Sequence, residues 1–588
     1  MGAPTIGLNF GTHDAAAAIV IDGAVVAAAE EERFTRAKQT KAFPTRAIEY
    51  CLAEAGIARA DVEQVAFFVD PALQLLLPLS NLRYGFPASI GALTSDVGKY
   101  WNRRNALTQI RSAGDFGGTA AVTPVRHHLA HAASAFLTSP FDQSLVVTVD
   151  GRGEFETAAI FEARGGILTL RHSIKYPHSI GYLYSMVTRF LGFRPQRDEY
   201  KVMGLAGHGG TSLHGVIGDL ATFVDPSGRV RLNLRYFDHH RRPSDHRNLF
   251  SPALEHLLGP ARQPGEPITD RHCEIASAVQ HLTEDLVTRY VLYGQKLVPS
   301  RNLCLAGGVA LNGVANARVI QTGRFDSVFI QPAANDAGTS IGAALVVAGQ
   351  QDATPNRGVM TNAFLGPAFG DQEIEAALHI AGGAGCRITT VPDRCAAAAR
   401  LLADDQIIGW FQGRMEFGPR ALGARSILAN PSQAATTTRV NALIKRREAF
   451  RPLAPAVQAE HAAEFFELNE AGRLVYPFML ATARVHAAQR NRIAAVVHVD
   501  GSARVQTVTR ADNPIMWSLI EHFRRLTGVP VVLNTSFNGA DEPIVCTPED
   551  AVRTFLACEL DALVIGDYLA VPPRRRGLEV RDAGQTTR

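Results

Sequence analysis

The stretch that most constrains the fold runs from Arg126 to Asp150, RHHLAHAASAFLTSPFDQSLVVTVD. His127 and His131 stand four apart among good helix formers, so a helix here carries both imidazoles on one face, one turn apart. Thr138-Ser139-Pro140 breaks that helix. The β-branched run Leu145–Val149 then reads as a buried strand ending at Asp150. Two imidazoles on a helix face and a carboxylate at a strand end can supply two nitrogens and one oxygen to a divalent metal. The plainer reading is two surface histidines and an aspartate capping a turn, and spacing alone supports both readings equally.

A chain of 588 residues exceeds what one core holds, so two or three domains are expected. A net charge of +3 gives no nucleic-acid footprint and no polybasic membrane patch. No apolar run has transmembrane length, and the strand pattern starts within the first ten residues, so no leader is expected. The seven cysteines are scattered and form no CxxC pair, which fits a reduced, cytoplasmic protein without a cysteine-built metal site. Only seven of the 59 basic residues are lysines. A lysine inside a polar motif is therefore more telling here than an arginine, and Lys445 is where that bias applies.

Along the chain, Thr5–Phe10, Ala17–Ile21 and Ala24–Ala29 read as strands, the last two joined by the hairpin dipeptide Asp22-Gly23. Gly11-Thr12-His13-Asp14 lies between the first two, where a glycine, a hydroxyl and bare amides make a small anion nest. Residues 31–43 read as a charged surface loop leading to a helix near 45–56. Residues 64–70 read as another buried strand, and 71–120 as a patternless insertion near a binding mouth. Asp150-Gly151-Arg152-Gly153 follows the strand at 145–149. A long amphipathic helix over 272–297 precedes a strand, the pair Gly307-Gly308 and a helix start at Asn312, where backbone can approach an anionic ligand closely. Asp336 falls at a strand-to-helix turn, either as an N-cap, the commoner role, or as a fourth metal ligand. Residues 349–362 are a polar linker and mark the boundary between a first domain over 1–355 and a second over 363–572. Residues 573–588 read as a disordered tail.

In the second half, cations, hydroxyls and an asparagine recur beside apolar strands, in Gly413–Ser426, Lys445–Pro455, Arg504–Val508 and Val529–Gly539. Single arginines usually mark a solvated surface. Four clusters, each abutting a strand, point instead to a cleft for a phosphate-bearing small molecule.

Taken together, the motifs HHLAHA, DGRGEFET, DEYKVMGLAG, AGGVALN, QPAANDAG, GRMEFGPRALGARSI, KRREAFRPLAP and NTSFNG resemble those of the antibiotic and nodulation-factor O-carbamoyltransferases. They stand in that family's order across nearly the whole chain. The resemblance implies an α/β protein with an N-terminal actin/Hsp70-like (ASKHA) domain, akin to the tRNA threonylcarbamoyltransferases, and a C-terminal YrdC-like domain. The second domain would convert carbamoyl phosphate and ATP into carbamoyl-adenylate. The first would pass the carbamoyl group to a hydroxyl of a small-molecule natural product, as in antibiotic tailoring. The work would thus divide between two separate chambers.

Carried across by position, the resemblance implies that His127, His131, Asp150 and Asp336 hold a divalent metal, iron first with magnesium or zinc as alternatives. His13 would be the base, with its ordinary pKa near operating pH and Asp14 placed to orient it. Arg420, Lys445, Arg451, Arg504, Asn534 and Ser536 would bind carbamoyl phosphate and the adenylate. Gly11, Thr12, Gly307, Gly308 and Asn312 would line the nucleotide site of the first domain. Two rival readings are an ASKHA-type small-molecule kinase and a nucleotide-dependent binding module, neither of which needs the cation clusters after residue 413. The sequence names neither the acceptor nor an oligomeric state.

Overall fold

A computed structural model of the chain describes residues 3–77, 83–84, 86, 89–116, 120–224, 227–242, 249–350 and 358–573. The first half is built on one plan used twice. β1 (Thr5–Asn9), β2 (Ala16–Ile21) and β3 (Ala24–Glu30) form an antiparallel meander, and β4 (Gln64–Phe67) and β5 (Ala121–Pro124) add in parallel beyond β1, giving the order β3-β2-β1-β4-β5. In the second sheet β6 (Gln143–Val149), β7 (Glu156–Arg164) and β8 (Ile167–Lys175) form the meander. The ribbon β9 (Ala221–Val224) and β10 (Arg229–Leu232) stands apart. β11 (Asn302–Ala306) and β12 (Ser327–Ile330) then add in parallel beyond β6. The expected Asp22-Gly23 turn joins β2 and β3 with φ of 51° and 75°, the left-handed pair that suits a two-residue hairpin.

Two helices fill the space between these sheets. Helix Gly338–Gly349 packs on β1, β2 and β4, helix His127–Phe136 packs on β6 and β11, and the two helices lie against each other. Small residues set that approach: a Cβ on Gly342 would lie 1.7 Å from the carbonyl oxygen of Ala130, and one on Gly7 would lie 1.9 Å from that of Ser340. The long helix expected at 272–297 runs from Asp270 to Leu297.

The second half is an eight-stranded sheet with the order β13-β23-β22-β14-β15-β21-β16-β20. Its strands are β13 (Arg387–Thr390), β14 (Ile408–Phe411), β15 (Arg425–Ala429), β16 (Ala454–Gln458), β20 (Gln506–Val508), β21 (Val531–Ser536), β22 (Ala562–Ile565) and β23 (Tyr568–Val571). A three-stranded sheet, β17 (Phe466–Glu467), β18 (Thr482–Val485) and β19 (Ser502–Arg504), flanks it. The final helix Pro548–Ala557 opens with a capping box between Thr547 and Asp550.

Two sequence expectations fail. Residues 31–43 are not a surface loop throughout: Glu31–Thr35 is a short helix with Glu31, Glu32 and Arg33 buried. The charges tolerate burial because they satisfy one another, Arg33 donating to Glu30 at 2.7 Å, to Glu32 at 2.8 Å and to the Gly418 carbonyl of the second half at 2.9 Å. The patternless stretch 71–120 contains a 24-residue helix, Ile90–Ala113, in which Ile90, Val97 and Trp101 are exposed. Its apolar residues fall on no single face, Ile90, Val97 and Trp101 being exposed while Ala106 and Ile110 are buried, so the periodic signal by which a helix is recognised is weak. Residues 351–357 of the expected linker and 574–588 of the expected tail lie outside the described residues. Among the described residues no helix is long and apolar enough to cross a membrane. All seven cysteines are free thiols.

Gly342→Ala should lower stability by about 1–3 kcal/mol, the usual cost of forcing a methyl into a closed contact. Gly349→Ala, on the same helix with open space at its Cβ, should be neutral or slightly stabilising. Urea midpoints of the two variants check the contrast, and equal midpoints would show that the helix contact has room to relax.

Candidate active site

Four elements converge on one point between the two sheets of the first half. Helix His127–Phe136 presents His127 and His131, 2% and 0% exposed. Asp150 follows the last residue of β6, and Asp336 lies in the turn from β12 into helix Gly338–Gly349. The β1–β2 turn contributes Thr12, His13 and Asp14. His127 Nε2 stands 3.1 Å from Asp150 Oδ2 and 3.8 Å from Asp336 Oδ1, and His131 Nε2 stands 3.8 and 3.6 Å from the same two atoms. One donor atom from each of the four residues lies within 4.8 Å of the others. Both ring nitrogens of His131 and Oδ1 of Asp336 are buried without a hydrogen-bond partner. Buried polar atoms left unpaired are costly, and two nitrogens with two carboxylates are a donor set that a divalent metal satisfies.

The competing N-cap role for Asp336 does not hold, since helix Gly338–Gly349 has no side-chain cap. The Asp336 carboxylate turns instead to the imidazoles and accepts the Thr12 hydroxyl at 3.2 Å. Gly308 N donates to Asp150 Oδ1 at 3.1 Å. The intervening His128 is structural, tied to the Thr148 hydroxyl at 2.8 Å and the Glu156 carbonyl at 3.1 Å.

His13 Nδ1 lies 2.9 Å from Asp14 and its Nε2 lies 4.0 Å from Asp336. Burial alone would depress this imidazole, but the surrounding carboxylates, Asp336 foremost, push it up to about 10. Among these carboxylates the imidazole departs from the ordinary pKa expected from the sequence. His131 is raised to about 9 against its own burial by Asp150 and Asp336. Asp150 is held well below the usual carboxylate range, burial being outweighed by the two imidazoles.

The expected nucleotide residues divide. Gly11, Thr12, Gly308 and Asn312 line the cleft. The anion nest is less open than expected, because Gly11 N donates to the Lys41 carbonyl at 3.0 Å. Asn312 caps helix Gly313–Gln321 through Ala315 N at 3.1 Å and also bonds Gln280. Gly307, at φ 92°, packs where a Cβ would meet the Val149 carbonyl oxygen at 2.3 Å.

Across the cleft, the second half presents cations. The loop 413–424 is shaped by two buried charges that never reach the cleft. Glu416 accepts the backbone amides of Leu422, Ala424 and Arg425, and Arg425 donates to the carbonyls of Gln412, Gly413, Ala424 and Pro367 over the Phe411 ring. Arg420 is thereby held at the cleft wall beside Arg451 and Arg504. Lys445 follows a π-helical turn, Arg439–Ile444. Its ammonium donates to Asn538 Oδ1 at 2.7 Å, to the Asn538 carbonyl at 2.9 Å and to the Ser536 carbonyl. Asn534 donates to Gln506 at 2.8 Å while its own Oδ1 is unpartnered.

Arg447, absent from the sequence-derived set, belongs with these residues. Burial lowers it to about 9, with repulsion from Arg451 adding to the effect, and lowers Arg420 to about 10 in the same way. Burial and repulsion by Arg420, Arg447 and Arg451 hold Arg504 well below its ordinary value. Nitrogens of Arg420, Arg447 and Arg504 are buried without partners. Glu448 stands 3.8 Å from Arg451 but is shared with Lys201 at 2.9 Å. Such a group calls for an anionic ligand.

The two ends are not separate chambers. His13, Asp150 and Asp336 line the same cavity, of about 1010 Å³, as Arg420, Lys445, Arg447, Arg451, Arg504, Asn534 and Ser536. Tyr200 and Lys201 of the first half reach across it, the ring under the Arg451 guanidinium at 4.5 Å and the ammonium on Glu448. Five of the seven lysines, Lys38, Lys41, Lys99, Lys201 and Lys445, line this cavity. The scarcity of lysine was thus a stronger signal than its use at one position allowed.

Known proteins share this chain's sequence along its length. The family model described as carbamoyltransferase N-terminus matches residues 5–73 and 114–345, and the one described as carbamoyltransferase C-terminus matches 399–571. An uncharacterized protein of Synechocystis sp. is 38% identical, over 96% of each chain. Nodulation protein NolNO of Sinorhizobium fredii is 38% identical over 95% of this chain and 78% of its own. The 3'-hydroxymethylcephem-O-carbamoyltransferase of Streptomyces clavuligerus is 34% identical over 51% of this chain and 54% of its own. Among solved structures, HypF of T. kodakarensis aligns with 60% of this chain and 48% of its own at 11% identity and a TM-score of 0.32. With both of its halves matched by carbamoyltransferase models, the chain belongs to the carbamoyltransferase family of enzymes.

Proposed function

We propose that the chain is an ATP-dependent O-carbamoyltransferase acting on a hydroxyl of a small-molecule natural product. Its duplicated sheet supports an ASKHA-type first domain, and the second domain is read as YrdC-like. One observation carries the reading: a single cavity joins a buried, uncompensated cation group at one end to the His127–His131–Asp150–Asp336 cluster and His13 at the other.

The chemistry follows the charge. Carbamoyl phosphate and water give carbamate and phosphate. The carbamate oxygen displaces pyrophosphate from the α-phosphorus of ATP, giving carbamoyl-adenylate. Arg420, Arg447, Arg451 and Arg504 neutralise the phosphates, and Lys445, fixed by Ser536 and Asn538, adds a point charge. The acceptor oxygen then adds to the carbamoyl carbon, AMP leaves, and the hydroxyl proton passes to His13. Asp14 orients that imidazole through Nδ1, leaving Nε2 to take the proton. A divalent ion among His127, His131, Asp150 and Asp336 would supply Lewis acidity toward a phosphate or carbonyl oxygen. Asp150 and Asp336, whose charge raises His13, would direct that charge to a divalent ion held among them. A kinase or a nucleotide-dependent binding module leaves the cation group without a ligand.

With ATP, carbamoyl phosphate and an acceptor, the products should be AMP and pyrophosphate; ADP release would favour the kinase. His13→Asn should keep carbamoyl-phosphate-dependent ATP–pyrophosphate exchange and lose transfer by roughly 10²–10⁴, the range of a positioned general base. Loss of both half-reactions together would show that His13 serves adenylate formation as well. His131→Ala should leave the protein without its metal, and unchanged metal content by elemental analysis would remove the four-residue set as its holder.

A further inference from the structure

A second set of cations lines the same cavity on the side of the first half, away from Arg420 and its neighbours in the sequence. Helix Ile90–Ala113 presents Lys99, Asn102 and Arg103 to the cavity, and the loop after β6 presents Arg152. One nitrogen each of Arg103 and Arg152 is buried without a hydrogen-bond partner. The Arg152 guanidinium lies over the Tyr176 ring at 5.2 Å. Lys99 is held by Asp96 at 3.2 Å. Glu154, which faces Arg103, already accepts the amides of Asp70 and His127 through one oxygen, each at 2.9 Å. Burial lowers Arg103 to about 10 and Lys99 to about 8, and Arg152 adds repulsion to both. Lys99 and Arg152 face Asp96, and Arg103 faces Glu154 and Asp336.

Several acidic groups of the cavity are satisfied from within, although Oδ1 of Asp336 and the second oxygen of Glu154 are buried without a partner. Glu30 and Glu32 are paired with Arg33. Glu199 accepts from Ser185 and from Gln196 N, each at 2.6 Å. Asp14 bonds His13 and Asn335, each at 2.9 Å. Arg103 and Arg152 each keep a buried guanidinium N–H without an acceptor, and such groups seek an oxyanion. The N-terminal family model covers Arg152 but passes over residues 74–113, the stretch that carries helix Ile90–Ala113 and Arg103. An element outside the shared family pattern suits the substrate that differs from one member to the next.

We propose that Arg103 and Arg152 form an acceptor-recognition subsite for an oxyanion, a carboxylate or phosphate ester carried by the molecule whose hydroxyl is carbamoylated. The proposal rests on the carbamoyl-transfer reading for the word acceptor and on the cavity alone for the oxyanion. It is tested with selenate as the probe. In crystals of the full chain soaked with selenate, anomalous density should lie between Arg103 and Arg152 and should persist with saturating AMP. In solution, Arg103→Gln should weaken calorimetric selenate binding at this site at least tenfold, while Arg103→Lys keeps it within a few-fold and controls for folding. ATP–pyrophosphate exchange should stay within twofold of wild type in Arg103→Gln. Absence of density there, or its displacement by AMP, overturns the proposal. So does a fall in exchange parallel to the loss of selenate, which would give the guanidinium to the adenylate instead. If wild-type protein shows no exchange, the transfer reading fails separately, and the selenate result still decides whether the oxyanion site exists.

Discussion

The contact between helix His127–Phe136 and helix Gly338–Gly349 is the constraint from which the rest follows. Each helix belongs to a different sheet, and Gly342 lets their backbones meet at Ala130. That closeness brings two imidazoles from one helix to the carboxylate that precedes the other. A larger residue at the crossing would separate donor atoms that now lie within 4.8 Å, and a donor set does not tolerate such displacement. Alanines at 130, 132, 133 and 135 serve the same end, supplying helix propensity without bulk. The site is therefore a property of packing between two sheets and not of any loop.

Electrostatics of the cleft is arranged as two incomplete halves. At one end, carboxylates and imidazoles gather more acceptors than donors, and at the other four guanidinium groups repel one another in a buried wall. Neither end is at its best without a ligand, since buried unpaired charge is costly. Ligands that supply the missing charges bind the folded state selectively and so stabilise it. The charge that makes the cleft a site is also charge that the bare fold holds at a cost.

How much of this was legible in the sequence depended on whether the signal was local. The HxxxH spacing, the strand ending at Asp150 and the Asp22-Gly23 hairpin are local patterns, and the structure contains each of them. Asp336 was ambiguous because a strand-to-helix turn is where a capping aspartate also belongs, and only the partner helix decides its direction. Arg447 stands in KRREAFR beside Arg446 with nothing to separate them. The left-handed backbone of Arg446, φ 45°, follows the π-helical turn, and of the two arginines on the cavity wall Arg447 is the more buried. Arg33 was read as solvated because its partners, Glu30, Glu32 and the Gly418 carbonyl, are assembled by the fold. Arg103 lay in a helix whose apolar residues are divided between solvent and interior, so the periodicity that would have revealed it was weak.

A single cavity changes what the two halves must do for each other. Were the charging and transfer steps in separate chambers, an activated carbamoyl donor would have to leave one site and find the other, exposed to water on the way. In the proposed reaction, one cavity of about 1010 Å³ would keep the donor among protein groups throughout, with proximity in place of a second binding event. The crossing contacts fit that demand. Arg414 donates to the Val26 carbonyl, Arg36 to the carbonyls of Pro543 and Ile544, and Tyr200 lies beneath Arg451. Each ties the cation wall to the sheet that carries His13 or to the helix beside it. The position of Arg451 and its neighbours relative to His13 is thus set by contacts between the halves, and in the proposed reaction the same contacts would couple transfer to charging.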